Sequence, residues 1–451
     1  MADHMQTLQN KSWFSYAILL PLIVLLIYVA VFGVDIPFYD PWTTMPVFVS
    51  KFYTGTLTLS DLFSQNNEHR TVIPWLIQVP LALLTGWNTK IEMGVQMTFA
   101  VATFFLIRQQ LYLSWKQLDI KPSNGLLLMI SVLVFSLSQW ENWLNGEQLI
   151  ITLFSLLSVC SLFLLANPDL TGQRLILAML CVSAAQFTMA AGVILWGTGL
   201  ILLWMTAEGV TRKILFAVLW LVAAGASTLL YFWDFRPEAS PFRLDSFLSQ
   251  PLAYLLYVFT FLGAPMMTFY TAAIAAVIGC VLLGLILFDI LRKRLSKELT
   301  TFLPYIALCV YALLLAFAIG VGRLGDKWWL ALSPRYIGFS VWFWVGLIAL
   351  LSFKAALANQ NNHSDQLDQL NIFWRRFASK CLGLIFVLSL GCSILGAGLG
   401  IYLRYMPLSA ARNALIAGKE TDETLVQIYP NAAFLRRQLE VAKQYRLTIY
   451  R

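Results

Sequence analysis

Charged residues are scarce in this chain: aspartate, glutamate, lysine and arginine make up only 12% of its 451 residues. Soluble domains average about 25%, whereas hydrophobic residues here reach 59%. This balance excludes an ordinary soluble enzyme and predicts a chain embedded in lipid. The net charge of +8 does not indicate a nucleic-acid partner, because lysine and arginine in membrane proteins mainly mark the loops on one side.

Several sequence signatures are also absent. The six cysteines have no metal-ligand spacing and fall inside apolar runs, so we interpret them as packing residues. The glycine-rich stretch LGCSILGAGLG follows no strand, which argues against a dinucleotide site. The first apolar run has no small-residue cleavage site, so we expect it to be retained as a membrane span.

The chain does contain many apolar runs of the roughly 20 residues that cross a bilayer. We predict an all-α, polytopic membrane protein with about eleven transmembrane helices. They lie near 14–33, 93–107, 124–138, 148–166, 175–188, 190–206, 214–232, 267–290, 302–321, 337–353 and 381–402. Together they form a transmembrane domain over 1–402. Two apolar segments are predicted to lie along the interface instead: 71–87, which contains Pro74 and Pro80, and 250–263, which ends at a Gly-Ala-Pro break.

The distribution of lysine and arginine predicts the orientation. Basic residues are more frequent in the loops on the side of the amino terminus, among them the run RKRLSK. We therefore expect a cytoplasmic amino terminus and an extracytoplasmic tail over 403–451, since positive loops face the cytoplasm. The tail has helical patterns but too little apolar surface to span, so it is expected to form a small cap.

Ionisable residues collect at the predicted outer face. The first outer loop, 34–92, carries Asp35, Asp40, Glu68, His69 and Arg70. Later outer loops carry Glu141 and Glu147 in QWENWLNGEQ, and Arg323, Lys327, Arg335 and Tyr336 in RLGDKWWLALSPRY. Such groups are costly beside hydrocarbon unless paired or hydrated, so each is a candidate for a site. The span interiors are expected to hold little beyond Gln, Ser, Thr and Tyr.

This layout resembles that of GT-C glycosyltransferases, in the branch of protein O-mannosyltransferases and lipid A aminoarabinose transferases. In FYDPWTTMPVF, Asp40 matches the catalytic aspartate of that branch. In NEHRTVIPWLIQVPLALLTGW, His69 lies near its histidine. Pro41 stands where a second acid usually follows, so that acid would come from elsewhere: Asp35, Glu68 or Glu141. The segments YDPW, NEHR, QWENW and SPRY also resemble a group of uncharacterised bacterial membrane proteins considered glycosyltransferase-like.

The resemblance implies an enzyme that transfers a sugar from a polyprenyl-phosphate donor to a cell-envelope glycan or lipid, at the outer face of the bacterial inner membrane. Asp40 would be the base, with Glu141 and His69 as further catalytic residues. Arg323 and Arg335 would bind the donor phosphate, because a planar guanidinium binds two oxygens at once. The remaining predicted substrate-binding residues are Asp35, Glu68, Arg70, Glu147, Lys327 and Tyr336.

Plainer roles remain open for the same residues. Asp40 before Pro41 could open a turn, Asp35 could cap a helix, and Arg323 or Arg335 could contact lipid headgroups. Carboxylates and a histidine are ligand types for a divalent cation, but their spacing is not a metal motif, so we predict no metal or other cofactor. The rival functions are a transporter or flippase for a lipid-linked or small polar substrate, and a structural subunit of a membrane complex.

Overall fold

The computed structural model describes residues 16–67, 69–236, 249–292, 296–323, 328–360 and 369–451. Within these ranges every regular element is helical, apart from one isolated bridge between Asn66 and His69. The predicted all-α class is therefore confirmed. The α-helices, in chain order, are α1 (Leu20–Phe32), α2 (Pro41–Tyr53), α3 (Leu59–Leu62), α4 (Val72–Thr85), α5 (Thr89–Leu118), α6 (Asn124–Val134), α7 (Trp140–Trp143), α8 (Leu149–Leu165), α9 (Gly172–Gln186), α10 (Val193–Thr206), α11 (Val210–Tyr231), α12 (Pro251–Gly263), α13 (Phe269–Arg292), α14 (Ser296–Arg323), α15 (Pro334–Gln360), α16 (Gln369–Gly400), α17 (Met406–Ile416), α18 (Asp422–Leu425) and α19 (Ala432–Gln444).

Eight helical segments in the described part of the chain are long and apolar enough to cross a membrane. They are Thr89–Leu118, Asn124–Trp143, Gly146–Leu165, Val210–Tyr231, Tyr270–Arg292, Glu298–Arg323, Pro334–Gln360 and Ile372–Ile416. By length and composition the chain has the architecture of a multi-pass helical membrane protein.

The predicted count of about eleven spans is not reproduced. Three predicted spans, 14–33, 175–188 and 190–206, coincide with α1, α9 and α10, which have only 13, 15 and 14 residues. At about 1.5 Å per residue such helices fall short of the roughly 30 Å hydrocarbon thickness. The apolar runs extend beyond these helices because apolar residues also fill the adjoining turns, such as the 3₁₀ segment Ala190–Gly192 before α10.

Helix α15 is the centre of the bundle, since nearly every residue from Tyr336 to Ala355 is buried. It packs mainly against α14 and α16. The contact with α14 is close because Gly346 faces that helix: a Cβ added there would lie 2.5 Å from the Tyr305 carbonyl oxygen and 2.7 Å from Cys309 Sγ. A small residue at this position lets the two backbones approach, as is common between membrane helices.

Gly346→Ala should therefore destabilise the protein by about 1–3 kcal/mol, the usual range for overpacking a tight core. The added methyl group meets backbone, which cannot move aside alone. Gly284→Ala is the matched control in α13, because a Cβ there would meet nothing within 4 Å. The midpoint of thermal unfolding in detergent should fall for Gly346→Ala only. Equal midpoints for the two variants would contradict the close α14–α15 contact.

The carboxy-terminal tail packs against the first loop. Helices α2, α4 and α17 to α19 share a small hydrophobic core that is separate from the main bundle core, and we call this unit the cap layer. Tyr445 stacks on Tyr53 with ring centroids 5.2 Å apart. The backbone N–H of Tyr39 donates to the Ile428 carbonyl oxygen at 2.9 Å. Loop 34–92 and tail 403–451 thus form one packed unit.

A buried ion cluster lies inside the bundle, near the end of α15 that is opposite to the cap layer. Lys354 Nζ of α15 lies 2.5 Å from Asp289 Oδ2 of α13 and 3.1 Å from Glu298 Oε2 of α14. The side chains of Lys354 and Asp289 are 5% and 0% exposed. Of these residues only Asp289 falls inside a predicted span, next to its end, while Glu298 and Lys354 lie just outside their predicted spans. The sequence shows no pairing partner for Asp289, because its partner is distant along the chain.

Candidate functional site

The turn between α6 and α8 forms the floor of the candidate site. Every residue from 131 to 146 is buried except Glu141, which is partly exposed. Three hydrogen bonds hold the turn: Trp143 Nε1 donates to the Ser136 carbonyl at 2.8 Å, Gln96 Nε2 donates to the Asn142 carbonyl at 2.8 Å, and Asn142 Nδ2 donates to a third carbonyl on α15. This buried, hydrogen-bonded turn therefore presents the carboxylate of Glu141, and Glu147 follows just before α8.

The carboxylate of Glu141 is fixed from two sides. Its Oε2 accepts from Ser333 Oγ at 2.9 Å and from the Arg335 backbone N–H at 3.2 Å. Its Oε1 lies 3.7 Å from Arg404 Nη2, which is an ion pair but too long for a hydrogen bond. Glu141 thus joins the start of α15 to the end of the last long helix.

Arg404 lies in a π-helical turn, Ile401–Tyr405, that continues α16 toward the cap layer. The residue is 7% exposed. Its guanidinium carbon is 3.4 Å from the Phe38 ring centroid and 5.7 Å from that of Trp140. Close approach is possible because Gly400 precedes the turn: a Cβ there would lie 2.6 Å from Trp140 Cβ.

The carboxylate of Asp40 interacts electrostatically with Glu147 and Arg335. It occupies the N-cap position of α2, yet its backbone is in the αR region and its carboxylate makes no capping hydrogen bond. The residue is exposed. The preceding Tyr39 has a φ of 65°, a conformation that costs free energy in residues other than glycine and often marks functional sites. Asp40 does lie in the turn that opens α2, as its plainer reading expected, and its carbonyl oxygen accepts from the Thr43 backbone N–H at 2.9 Å. Its carboxylate takes no part in that turn's capping.

Two further carboxylates, those of Glu147 and Glu92, belong to the same group of charges. Glu147 lies within electrostatic range of Asp40, Glu92, Arg335 and Arg404. Glu92, at the start of α5, is only 4% exposed. Its side chain lies against the turn before α8, since a Cβ built on Gly146 would be 2.3 Å from Glu92 Oε2. A fold that brings several carboxylates together with guanidinium groups is a common way to prepare acid–base chemistry.

The second arginine of the site is Arg335, at the start of α15. It is exposed, its guanidinium carbon lies 5.3 Å from the Tyr336 ring centroid, and it interacts electrostatically with Asp40 and Glu141. We call Asp40, Glu92, Glu141, Glu147, Arg335 and Arg404 the carboxylate–arginine cluster. Arg323 is exposed at the end of α14 and, like Arg335, interacts electrostatically with Tyr257.

Asp35 is engaged in a different contact. Its Oδ1 accepts from the Thr89 backbone N–H at 3.0 Å and from Thr89 Oγ1 at 3.2 Å, and its Oδ2 pairs with Arg451. Its backbone carbonyl accepts from Arg412 Nε at 3.2 Å. The carboxylate thus ties the start of α5 to the final residue of the chain, which gives it a structural role.

We expect Asp35→Asn to loosen the end of the tail. Losing a charge-assisted hydrogen bond to Arg451 should lower the free energy of local opening by about 1.5–3 kcal/mol, so amide exchange over 446–451 should accelerate at least about tenfold. Asp422→Asn is the control, because its exposed pair with Arg436 should contribute almost nothing. Hydrogen–deuterium exchange with mass spectrometry measures both, and equal protection in the two variants would refute the anchor.

The predicted Arg70 and His69 lie at another junction. The Arg70 side chain donates to the carbonyl oxygens of Phe63 and Trp233, and its backbone N–H donates to Tyr231 Oη at 3.0 Å. Arg70 is buried and fastens the first loop to the segment after α11. His69 is in the short bridge with Asn66. Neither residue is in the carboxylate–arginine cluster, and the predicted Glu68 and Lys327 lie outside the described residues.

Sequence reasoning missed Glu92 and Arg404. Glu92 is the last residue of the predicted first outer loop, and Arg404 follows the predicted end of the last span, so each lies where a charge commonly marks a helix end. Their positions in the sequence could have identified them, because both residues belong to the predicted outer face, where the other candidates also lie. The described residues contain no group of three or more His, Cys, Asp or Glu side chains arranged to hold a metal ion. The absence of a metal therefore remains a prediction.

The arrangement brings an exposed carboxylate, two guanidinium groups and two partly buried carboxylates together at one end of the bundle. Such a set can remove a proton from a hydroxyl group and stabilise a phosphate at a short distance. Comparison with known proteins adds no relative, since no family model, no curated protein and no solved structure matches the chain.

Proposed function

We propose that this protein is a GT-C-type membrane glycosyltransferase. It transfers a sugar from a polyprenyl-phosphate donor to a cell-envelope glycan or lipid at the extracytoplasmic face of a bacterial inner membrane. The observation that carries the proposal is Asp40: an exposed carboxylate without a capping hydrogen bond, next to a backbone in an unfavourable conformation and within electrostatic range of Arg335. The positive-inside distribution supports the orientation, with the amino terminus in the cytoplasm and the tail outside.

The proposed roles follow from position and exposure. Asp40 accepts the proton of the acceptor hydroxyl, whose oxygen then attacks the anomeric carbon of the donor sugar. The bond between that carbon and the phosphate oxygen breaks, and the electron pair leaves on polyprenyl phosphate. Arg335 stabilises the charge that develops there, with Arg323 as the second predicted contact of the donor phosphate. Glu141 and Glu147 orient the acceptor, and the apolar faces of the bundle hold the polyprenyl chain.

A transfer assay tests the proposal. Membranes that contain or lack the chain receive a panel of radiolabelled polyprenyl-phosphate sugars together with native envelope acceptors. We expect label to move to an acceptor only when the chain is present. If no donor in the panel yields transfer while labelled lipid crosses between leaflets in a chain-dependent manner, the enzyme proposal is wrong and the transporter reading replaces it.

The transporter or flippase remains the second candidate because of the buried cluster of Asp289, Glu298 and Lys354. Ionisable groups inside a membrane bundle often belong to ion or substrate pathways. In this protein they compensate one another within hydrogen-bonding distance, which also suits a structural role. A variant that neutralises the cluster should leave sugar transfer unchanged per folded molecule if the first proposal holds, and should abolish translocation if the second does.

A further inference from the structure

We infer that Arg404 is the buried receptor of a phosphoryl group, held ready by the fold before the ligand binds. The inference extends the proposed function, on which it rests only for the identity of the lipid that carries the phosphate. Arg404 was absent from the residues that sequence reasoning selected. Its burial, its unusual backbone and the state of its hydrogen-bond donors all point to the same role.

The donor atoms of Arg404 provide the first argument. Its Nε and Nη1 are buried and have no hydrogen-bond acceptor among the described residues. An arginine remains charged in any ordinary environment, and a buried charged donor without an acceptor is strongly unfavourable. Retaining two such atoms at 7% exposure indicates an acceptor that comes from outside the chain. A phosphoryl group is the acceptor that best fits a planar, two-pronged donor.

The position of Glu141 provides the second argument. This carboxylate could have closed on Arg404, but Ser333 Oγ and the Arg335 backbone N–H hold its Oε2. Its Oε1 consequently stops 3.7 Å from Arg404 Nη2. Glu141 therefore supplies a compensating charge without using the donors of the guanidinium. That is the arrangement expected of a preorganised receptor, in which orientation is set in advance by neighbouring groups.

The backbone provides the third argument. Arg404 belongs to a five-residue π-helical turn between α16 and the cap layer. Such turns disturb the regular ladder and frequently occur at functional sites. Here the turn places the Arg404 guanidinium carbon 3.4 Å from the centroid of the Phe38 ring, and Phe38 lies two residues before Asp40. A phosphoryl group bound to Arg404 would therefore lie next to the segment that carries the proposed base.

Equilibrium binding of radiolabelled polyprenyl phosphate to the full chain in phosphatidylcholine nanodiscs tests the inference. We expect saturable binding by the wild type, at least about tenfold weaker binding by Arg404→Lys, and weaker binding still by Arg404→Gln, because a point charge cannot replace the two-pronged donor. Arg108→Lys is the matched control, since Arg108 also stacks on an aromatic ring, at 5.0 Å from Tyr112, elsewhere in the bundle. Wild-type affinity in both Arg404 variants would overturn the inference, as would an absence of saturable binding by the wild type.

Two further arms identify the source of the phosphoryl group. Competition by inorganic phosphate would assign a site for the free anion, and loss of binding in phosphatidylglycerol nanodiscs would assign a site for phospholipid headgroups. Resistance to both would assign the polyprenyl lipid itself. Whichever ligand is assigned, the Arg404 variants must bind it more weakly than the wild type does. Unchanged binding of that ligand by the variants would count against the site.

Glu141→Gln separates this role from a purely structural ion pair. A receptor predicts that Glu141→Gln keeps or improves phosphate affinity, because a carboxylate near the ligand has been neutralised. A structural pair predicts that Glu141→Gln and Arg404→Gln lose similar thermal stability and that neither changes affinity. The binding assay involves no sugar transfer. If the Arg404 variants lose binding but no donor gives transfer, the receptor is upheld and the enzyme proposal is rejected. If transfer is observed but the Arg404 variants bind as the wild type does, the enzyme proposal stands and the receptor is rejected.

Discussion

Replacing Asp40 by asparagine should reduce the rate of sugar transfer by about 10²–10⁴-fold, the usual contribution of a positioned general base. Asparagine keeps the size of the side chain and its place at the start of α2, but it cannot accept the proton of the acceptor hydroxyl. Because the Asp40 carboxylate makes no capping hydrogen bond, the folded state loses little. The turnover number should therefore fall while donor binding stays near the wild-type value, which a comparison of kcat with KM and with equilibrium binding would detect.

Asp119→Asn is the control for that experiment. Asp119 is also an exposed aspartate beside a helix end, with a φ of 54° that asparagine tolerates well. It lies far from the cluster, where its carbonyl accepts from Gln360 Nε2 at 2.6 Å. Transfer by Asp119→Asn should equal that of the wild type. Undiminished transfer by Asp40→Asn would remove Asp40 from the chemistry and leave the carboxylates of Glu141 and Glu147 as the candidates for the base.

Lys354→Met should destabilise the protein by about 3–5 kcal/mol, because removing one partner of a buried ion cluster leaves uncompensated charge behind. Lys354 Nζ contacts the carboxylates of both Asp289 and Glu298, and its side chain is 5% exposed. The transition midpoint in a denaturation series in detergent should shift strongly. The loss should exceed that of Gly346→Ala, which removes no charge from the core.

Two comparisons make that result specific. Lys90→Met removes an exposed lysine whose Nζ donates only to the Ala30 carbonyl, so it should change stability little. The double variant Lys354→Met, Asp289→Leu should regain part of the lost stability, because a well-packed apolar pair can replace a buried ion pair. A double variant that is less stable than Lys354→Met would show that Asp289 contributes through other partners instead.

The sequence could predict which residues lie at the end of the bundle that carries the site, because that depends only on the order of apolar runs and polar turns. Alternating apolar runs and polar turns place Asp40, Glu141, Glu147 and Arg335 at one end, and the structure brings these four residues into electrostatic contact. The same argument could not separate them from Asp35. That residue lies only five positions before Asp40, but its carboxylate is engaged with groups at distant chain positions.

The sequence by itself determined the helical class, the apolar character of the bundle and the end at which ionisable residues collect, because these follow from hydropathy and its periodicity along the chain. Only the tertiary structure decided the rest. Span lengths depend on where turns interrupt apolar runs, and the pairing of Lys354 with Asp289 depends on helix packing. The burial of Arg404 beneath Phe38 depends on a π-helical turn and on the cap layer. These contacts join residues that are far apart in the sequence, and no local pattern records which of them will meet.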